Sequence, residues 1–183
     1  MTVLPQTIHL LADRLLASAD PATLLPDVLS QIPTLRETVP LSTRAEEAYS
    51  RRVLLADQRG EVLLMAWRAD QFCAPHDHAS ATGFVLLLHG EFEERQYQWR
   101  NGSLHPVGSQ TAQAPAFIPF EHGRIHDMKA STGGLSLHVY TPCIHGMRVY
   151  DMDSRRTLIV DDTCGAWVPR ERKLILKEMP WNE

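Results

Sequence analysis

Val53-Leu54-Leu55-Ala56, then Asp57-Gln58-Arg59-Gly60, then Val62-Leu63-Leu64-Met65-Ala66-Trp67 is the stretch where the chain changes character. Two apolar, branched runs flank a turn-forming tetrapeptide, which is the signature of a β-hairpin. Upstream the spacing is helical. Residues 7–19 carry Ile8, Leu10, Leu11, Leu15 and Leu16, and residues 21–32 repeat the style with Leu24, Leu25, Val28 and Leu29. Ser42 or Thr43 reads as the cap of a third helix running to Tyr49, with Glu46 completing a capping box after Thr43. Downstream, short apolar or alternating runs recur at 84–88, 91–99, 116–118, 123–128, 135–140, 147–150 and 157–160, and Asn101-Gly102 supplies a hairpin turn. About ten short strands separated by turn signals suggest a sandwich or barrel. The expected fold is mainly β: an antiparallel jelly-roll barrel with N-terminal α-helices. Residues 1–183 are expected to form one domain, with a helical section over 1–50 and the barrel over 51–183.

Composition narrows the function. The 183 residues are 44% hydrophobic and 22% charged, which excludes disorder over the whole chain. Acidic residues (22) outnumber Lys and Arg (18), a net charge of −4, so the basic excess of a nucleic-acid binder is missing. No apolar run approaches the roughly 18 residues of a membrane helix. The N-terminal residues lack the basic region of a secretion signal. Cys73, Cys143 and Cys164 are too few and too scattered for a disulfide scaffold, so a reduced, cytoplasmic setting is expected. Of the nine histidines, all but His9 fall between His76 and His145. Histidine is the commonest metal ligand and the usual acid or base near neutrality.

Within that crowd stands His76-Asp77-His78. On a strand, residues i and i+2 share a face, so both imidazoles point one way and Asp77 the other. Two histidines hold a divalent metal weakly, so a third ligand is needed from elsewhere. Here the chain resembles the cupin superfamily. That family's first motif runs H-x-H, a short spacer, Glu, six residues, Gly. In this chain the Glu position holds Gly83 and the closing glycine is Gly90. The second motif's G-x-x-H is matched by Gly123-Arg124-Ile125-His126, after Pro119 with two extra residues, and Ala130 replaces its trailing Asn. The resemblance implies His126 as the third ligand and no carboxylate. Three neutral imidazoles leave Fe2+ its full charge, which favours an anionic, chelating substrate, and thiolate is a soft ligand suited to that role.

A narrower resemblance lies outside these ligands. Ser136-Leu137-His138-Val139-Tyr140-Thr141-Pro142 resembles the S-L-H-x-Y-x-P segment of the cysteine dioxygenase family. Tyr49-Ser50-Arg51 matches its Y-x-R, and Trp67 stands nine residues before His76 as in that family. Alternation puts Ser136, His138 and Tyr140 on one face, where a Ser–His–Tyr relay lets them satisfy one another. The resemblance implies Fe2+ on His76, His78 and His126, and Arg51 with Tyr49 binding the substrate, the guanidinium on its carboxylate. Arg52 is one residue away in register and points to the other side. The partners implied are a small thiol and O2, with neither nucleic acid nor membrane, and no Gln accompanies Arg51, which leans toward L-cysteine. Animal members carry at the position of Gly83 a Cys cross-linked to the Tyr matching Tyr140; glycine cannot form that thioether. Two alternatives stand beside this reading: a dioxygenase of another small thiol such as 3-mercaptopropionate, and a cupin that binds metal without turnover. His9, His89, His105, His122 and His145 read as surface residues, Trp67 and Trp99 as packing, and Asp161-Asp162 as a solvated turn.

Overall fold

The computed structural model describes residues 4–181. Three helices open the chain: α1 (Gln6–Ala17), α2 (Leu25–Ser30) and α3 (Ile32–Thr38). Twelve strands follow: β1 (Tyr49–Ala56), β2 (Glu61–Trp67), β3 (His76–Asp77), β4 (Thr82–His89), β5 (Glu91–Arg100), β6 (Ser103–Gln113), β7 (Ala116–Phe120), β8 (Ile125–Ala130), β9 (Gly134–Thr141), β10 (Arg148–Asp151), β11 (Arg156–Val160) and β12 (Ile175–Pro180). They form a five-stranded sheet, β1-β2-β9-β4-β7, and a seven-stranded sheet, β12-β11-β10-β3-β8-β5-β6. The expected mainly β jelly roll with N-terminal helices is thus present. No helix among the described residues is long and apolar enough to cross a membrane.

The five-stranded sheet is buried on both faces, and this separates two cores. Val62, Leu64 and Ala66 of β2, Leu135, Leu137 and Val139 of β9, and Phe84, Leu86 and Leu88 of β4 point outward. There they meet Ile8, Leu11, Ala12 and Leu15 of α1, which recur at helical spacing, together with Val28 and Leu35. Leu63, Met65, Trp67, Val85, Leu87 and Tyr140 point inward, toward the other sheet. The helices therefore act as a lid on the sheet's outer face, and β2 is buried at all seven positions.

Turn chemistry follows the sequence closely. Asn101 (φ 50°) and Gly102 (φ 70°) both take the left-handed conformation that a tight hairpin requires. Asp57 and Gly60 exchange backbone hydrogen bonds at 3.0 and 3.3 Å, closing β1 onto β2. The third helix expected over residues 42–49 does not form. Its would-be helix carbonyls are occupied: Arg68 Nη1 donates to the Arg44 carbonyl at 2.7 Å and Gln71 Nε2 to that of Ala45 at 2.6 Å. The Ser42 hydroxyl donates to Glu47 rather than capping a helix. Strand β1 begins at Tyr49, two residues before the expected start of the barrel. Three strands exceed expectation or escape it. β6 and β12 are edge strands with one neighbour each, so they need no apolar alternation and β6 tolerates Pro106. β3 is only two residues long, and His78 lies just past its end.

The one-sided packing of α1 is directly testable. Leu15 is 1% exposed and Leu10 is 54% exposed on the same helix. Leu15→Ala should cost about 2–5 kcal/mol in urea unfolding, while Leu10→Ala should stay within about 0.5 kcal/mol of wild type. Equal losses would show that α1 does not dock on the sheet by this face.

Candidate metal centre

His76 and His126 are register partners across the antiparallel pair of β3 and β8. His78 follows two residues after His76, and the three rings converge with centroids 4.7 Å (His76–His126), 4.9 Å (His76–His78) and 5.1 Å (His78–His126) apart. All three are buried, and one nitrogen of each lies within 4.8 Å of the others. Asp77 points the opposite way, as alternation requires, and its Oδ2 accepts from the Tyr150 hydroxyl at 2.8 Å. Burial, reinforced by the neighbouring imidazoles, pushes His76 and His78 well below the ordinary histidine value. Both are neutral.

A neutral imidazole carries one N–H and one lone pair, and the partners here decide which nitrogen has which. Nδ1 of His76 faces the Ala74 carbonyl at 3.0 Å. A carbonyl only accepts, so the proton sits on Nδ1 and the lone pair on Nε2. Nδ1 of His126 lies 2.6 Å from Glu94 Oε1. It donates to that carboxylate, so in the neutral ring the lone pair is on Nε2. That Nε2 is buried and has no hydrogen-bond partner. A buried acceptor left unpaired is costly, and an electron-pair acceptor at that point removes the cost. The donor set therefore fits a divalent cation. It is the one His/Cys/carboxylate group of this kind among the described residues.

Glu94, on β5, was not foreseen as part of the site. Burial works against its charge, but hydrogen bonds from His126 and Gln110 and the Arg124 cation hold its carboxyl below the ordinary carboxylate value. Gln110 Nε2 and Arg124 Nη2 donate to Oε2 at 2.5 and 3.0 Å. A signal was available: Glu94 shares strand parity with Phe92, whose ring faces the inner core. A carboxylate at an inward position needs a partner.

The expected relay is present on β9. Trp67 Nε1 donates to Ser136 Oγ at 2.7 Å, Ser136 Oγ lies 2.8 Å from His138 Nε2, and His138 Nδ1 lies 3.0 Å from the Tyr140 hydroxyl. Burial pushes His138 down to about 3, so its ring is neutral. Ser136 is fully buried. Its hydroxyl accepts from Trp67 and satisfies its own proton by donating to His138 Nε2. His138 Nδ1–H then donates to the Tyr140 oxygen, and the Tyr140 proton is left to point into the cavity. The Tyr140 ring stands 5.0 Å from that of His78. Trp67, read as packing, is thus also the first donor of the relay.

Arg51 and Tyr49 line the same cavity as the three histidines and Tyr140. Arg51 donates to the Asp162 backbone carbonyl. Arg52 turns away and donates to the Thr38 carbonyl at 2.8 Å. Arg51, and not Arg52, lines the cavity. Gly83 is the register partner of Tyr140. A Cβ there would lie 1.9 Å from the Val139 carbonyl oxygen, so this backbone admits neither a carboxylate nor a thiol at that position. His9, His89, His105, His122 and His145 are exposed, as expected.

The role of Glu94 can be measured. A carboxylate behind a metal-bound histidine typically contributes about 10- to 100-fold in affinity. Glu94→Gln should weaken Fe2+ or Co2+ binding by about that factor in a competitive chelator titration. Unchanged affinity would mean that His126 is oriented without the carboxylate.

A solved structure from Klebsiella pneumoniae, a protein with a double-stranded β-helix domain, matches at a TM-score of 0.50 and 20% identity, over 63% of this chain and 87% of that one. That likeness bears on the fold. The cysteine dioxygenase type 1 of Danio rerio is 26% identical over 98 residues, 49% of each chain, so the chain spans about half the length of the curated relative it matches. The family model for cysteine dioxygenase type I matches residues 41–153, more than half of the chain and a span that holds all three histidines, Arg51 and the Ser136–Tyr140 relay. The chain belongs to the cysteine dioxygenase type I family.

Proposed function

We propose that the protein is a thiol dioxygenase that oxidises L-cysteine with O2 to cysteine sulfinate, with Fe2+ held by His76, His78 and His126. The observation that carries this reading is a single cavity that unites the three histidines, the Arg51 guanidinium and the Tyr140 end of a hydrogen-bonded relay. When bound, the iron lowers the pKa of the substrate thiol and activates O2 beside the sulfur. The protein's own residues do the rest. The neutral histidines add no negative charge, so an anionic thiolate is favoured. Arg51 forks onto the substrate carboxylate, and Tyr49 packs beside it. Tyr140 donates its proton to an oxygen of substrate or O2, and His138 and Ser136 keep that phenol oriented. Leu63, Met65 and Met147 wall the cavity with apolar surface, which keeps water from competing for these contacts. In this reading residues 1–183 act as one unit. A cytoplasmic setting suits the three cysteines, all of which are free.

The deciding experiment is metal analysis together with O2 uptake across L-cysteine, 3-mercaptopropionate and cysteamine. Turnover fastest with L-cysteine, at one iron per chain, is expected. Faster turnover of 3-mercaptopropionate would reassign the substrate, and bound metal without O2 uptake from any thiol would favour the non-catalytic cupin. Loss of a charge-assisted hydrogen bond costs roughly 1.5–3 kcal/mol, so Arg51→Ala should lower kcat/KM for cysteine about 10- to 100-fold. Cysteamine, which has no carboxylate, should be nearly indifferent, and Arg52→Ala should leave the preference intact.

Gly83 yields a second outcome. Peptide mass spectrometry should show Tyr140 unmodified after many turnovers. A Tyr140 peptide joined to Cys73, Cys143 or Cys164 and lighter by two hydrogens would contradict it.

A further inference from the structure

Two loops border the cavity, and beyond the apolar wall that Met147 adds they have no part in the reading so far. The loop after β9 puts Ile144 and Met147 on the cavity wall, and the loop after β11 puts Gly165 there. One residue joins them. Asp162 Oδ2 lies 2.6 Å from His145 Nδ1, and its Oδ1 accepts from the Gly146 N–H at 3.4 Å. The backbone carbonyl of the same Asp162 accepts from the Arg51 guanidinium. The side chain thus grips the neighbouring loop while the main chain grips Arg51. Further bonds order the rest of the Asp162 loop, one within it and one to β1. Asp161 accepts from the Thr163 N–H at 2.9 Å, and the Tyr49 hydroxyl accepts from the Ala166 N–H at 2.8 Å. A guanidinium has five N–H donors, so the one spent on the carbonyl leaves a fork for a carboxylate.

We propose that His145 and Asp162 are positioning residues for substrate recognition: their pairing between the two loops that border the cavity fixes the Asp162 carbonyl and hence the angle at which Arg51 meets the carboxylate of a thiol substrate. This rests on Arg51 binding that carboxylate. The pair is exposed, 75% at His145 and 50% at Asp162, so its strength depends on the charge of His145. The hydrogen bond to Asp162 raises the pKa of His145, and the charge of Glu61 on β2 acts in the same direction. Arg51 is the cation on the far side of the Asp162 loop. Protonated His145 is therefore the paired form. The pair is complete below the ordinary histidine value of about 6.5 and weakens as pH rises through the raised one. Selectivity for carboxylate-bearing thiols should fall over that interval.

The test is anaerobic calorimetric binding of L-cysteine and cysteamine to the iron-loaded protein. His145→Ala should weaken cysteine binding about three-fold. Asp162→Ala, which keeps the carbonyl but loses both side-chain anchors, should weaken it about ten-fold. Cysteamine binding should not move, and KM for cysteine should rise while kcat holds. The wild-type preference for cysteine over cysteamine should decline with rising pH, and His145→Ala should be flat. Equal weakening of both thiols, or none, overturns the positioning role. If wild type binds no cysteine, or Arg51→Ala binds it as well as wild type, the Arg51 reading itself fails and this role falls with it. Arg51-dependent binding with indifferent His145 and Asp162 variants overturns the pairing alone.

Discussion

Strand β9 has to satisfy opposite demands on its two faces, and the architecture follows from that constraint. Leu135, Leu137 and Val139 need a dry surface, while Ser136, His138 and Tyr140 need polar partners. In a sheet with one solvated face the apolar set would be exposed or the polar set diluted by water. The N-terminal helices cover the first face and the seven-stranded sheet encloses the second. The polar triplet therefore lies in a low-dielectric interior where each hydrogen bond is strong and each omission is costly. This is why the relay begins at Trp67: an indole N–H from the adjacent β2 is the donor available to close the chain of bonds at its deep end.

The histidine centre is built on the same economy of partners. Neutral rings at His76 and His78 avoid the cost of burying charge, and the carbonyl of Ala74 and the carboxylate of Glu94 each hold the Nδ1 proton of a ring. The strands that carry the ligands are also held from behind. Asp77 is bound by Tyr150, and Asp127, next to His126, takes a bidentate pair from Arg95 at 3.0 and 2.5 Å and the Tyr97 hydroxyl at 2.8 Å. Each buried acid sits on the opposite face from a histidine of the centre and ties the strand that presents it to its neighbours.

Period-2 alternation made much of this readable in advance. It placed His76 with His78, Asp77 opposite them, and Ser136, His138 and Tyr140 together, because a strand's faces follow from residue parity alone. What it could not supply were contacts between distant segments. Glu94 reaches His126, and Gln110 reaches Glu94, only because β5 lies between β6 and β8, and no local pattern encodes that order. The helix expected before Tyr49 failed for the same kind of reason: Arg68 and Gln71, remote in sequence, claim its carbonyls. Likewise Asp161-Asp162 does form a turn, but the destination of the Asp162 carbonyl is a matter of tertiary structure.

The position of Gln110 has a further implication. β6 pairs with β5 alone, and strands with a single neighbour are where sheets open first, since half their backbone groups already face water. Gln110 nevertheless belongs to the chain of contacts that ends at the Nε2 lone pair of His126. The buried Nε2 of His126 is thereby linked, through Glu94 and Gln110, to an edge strand of the barrel, so opening of that edge removes one of the bonds that hold the carboxylate behind the ring.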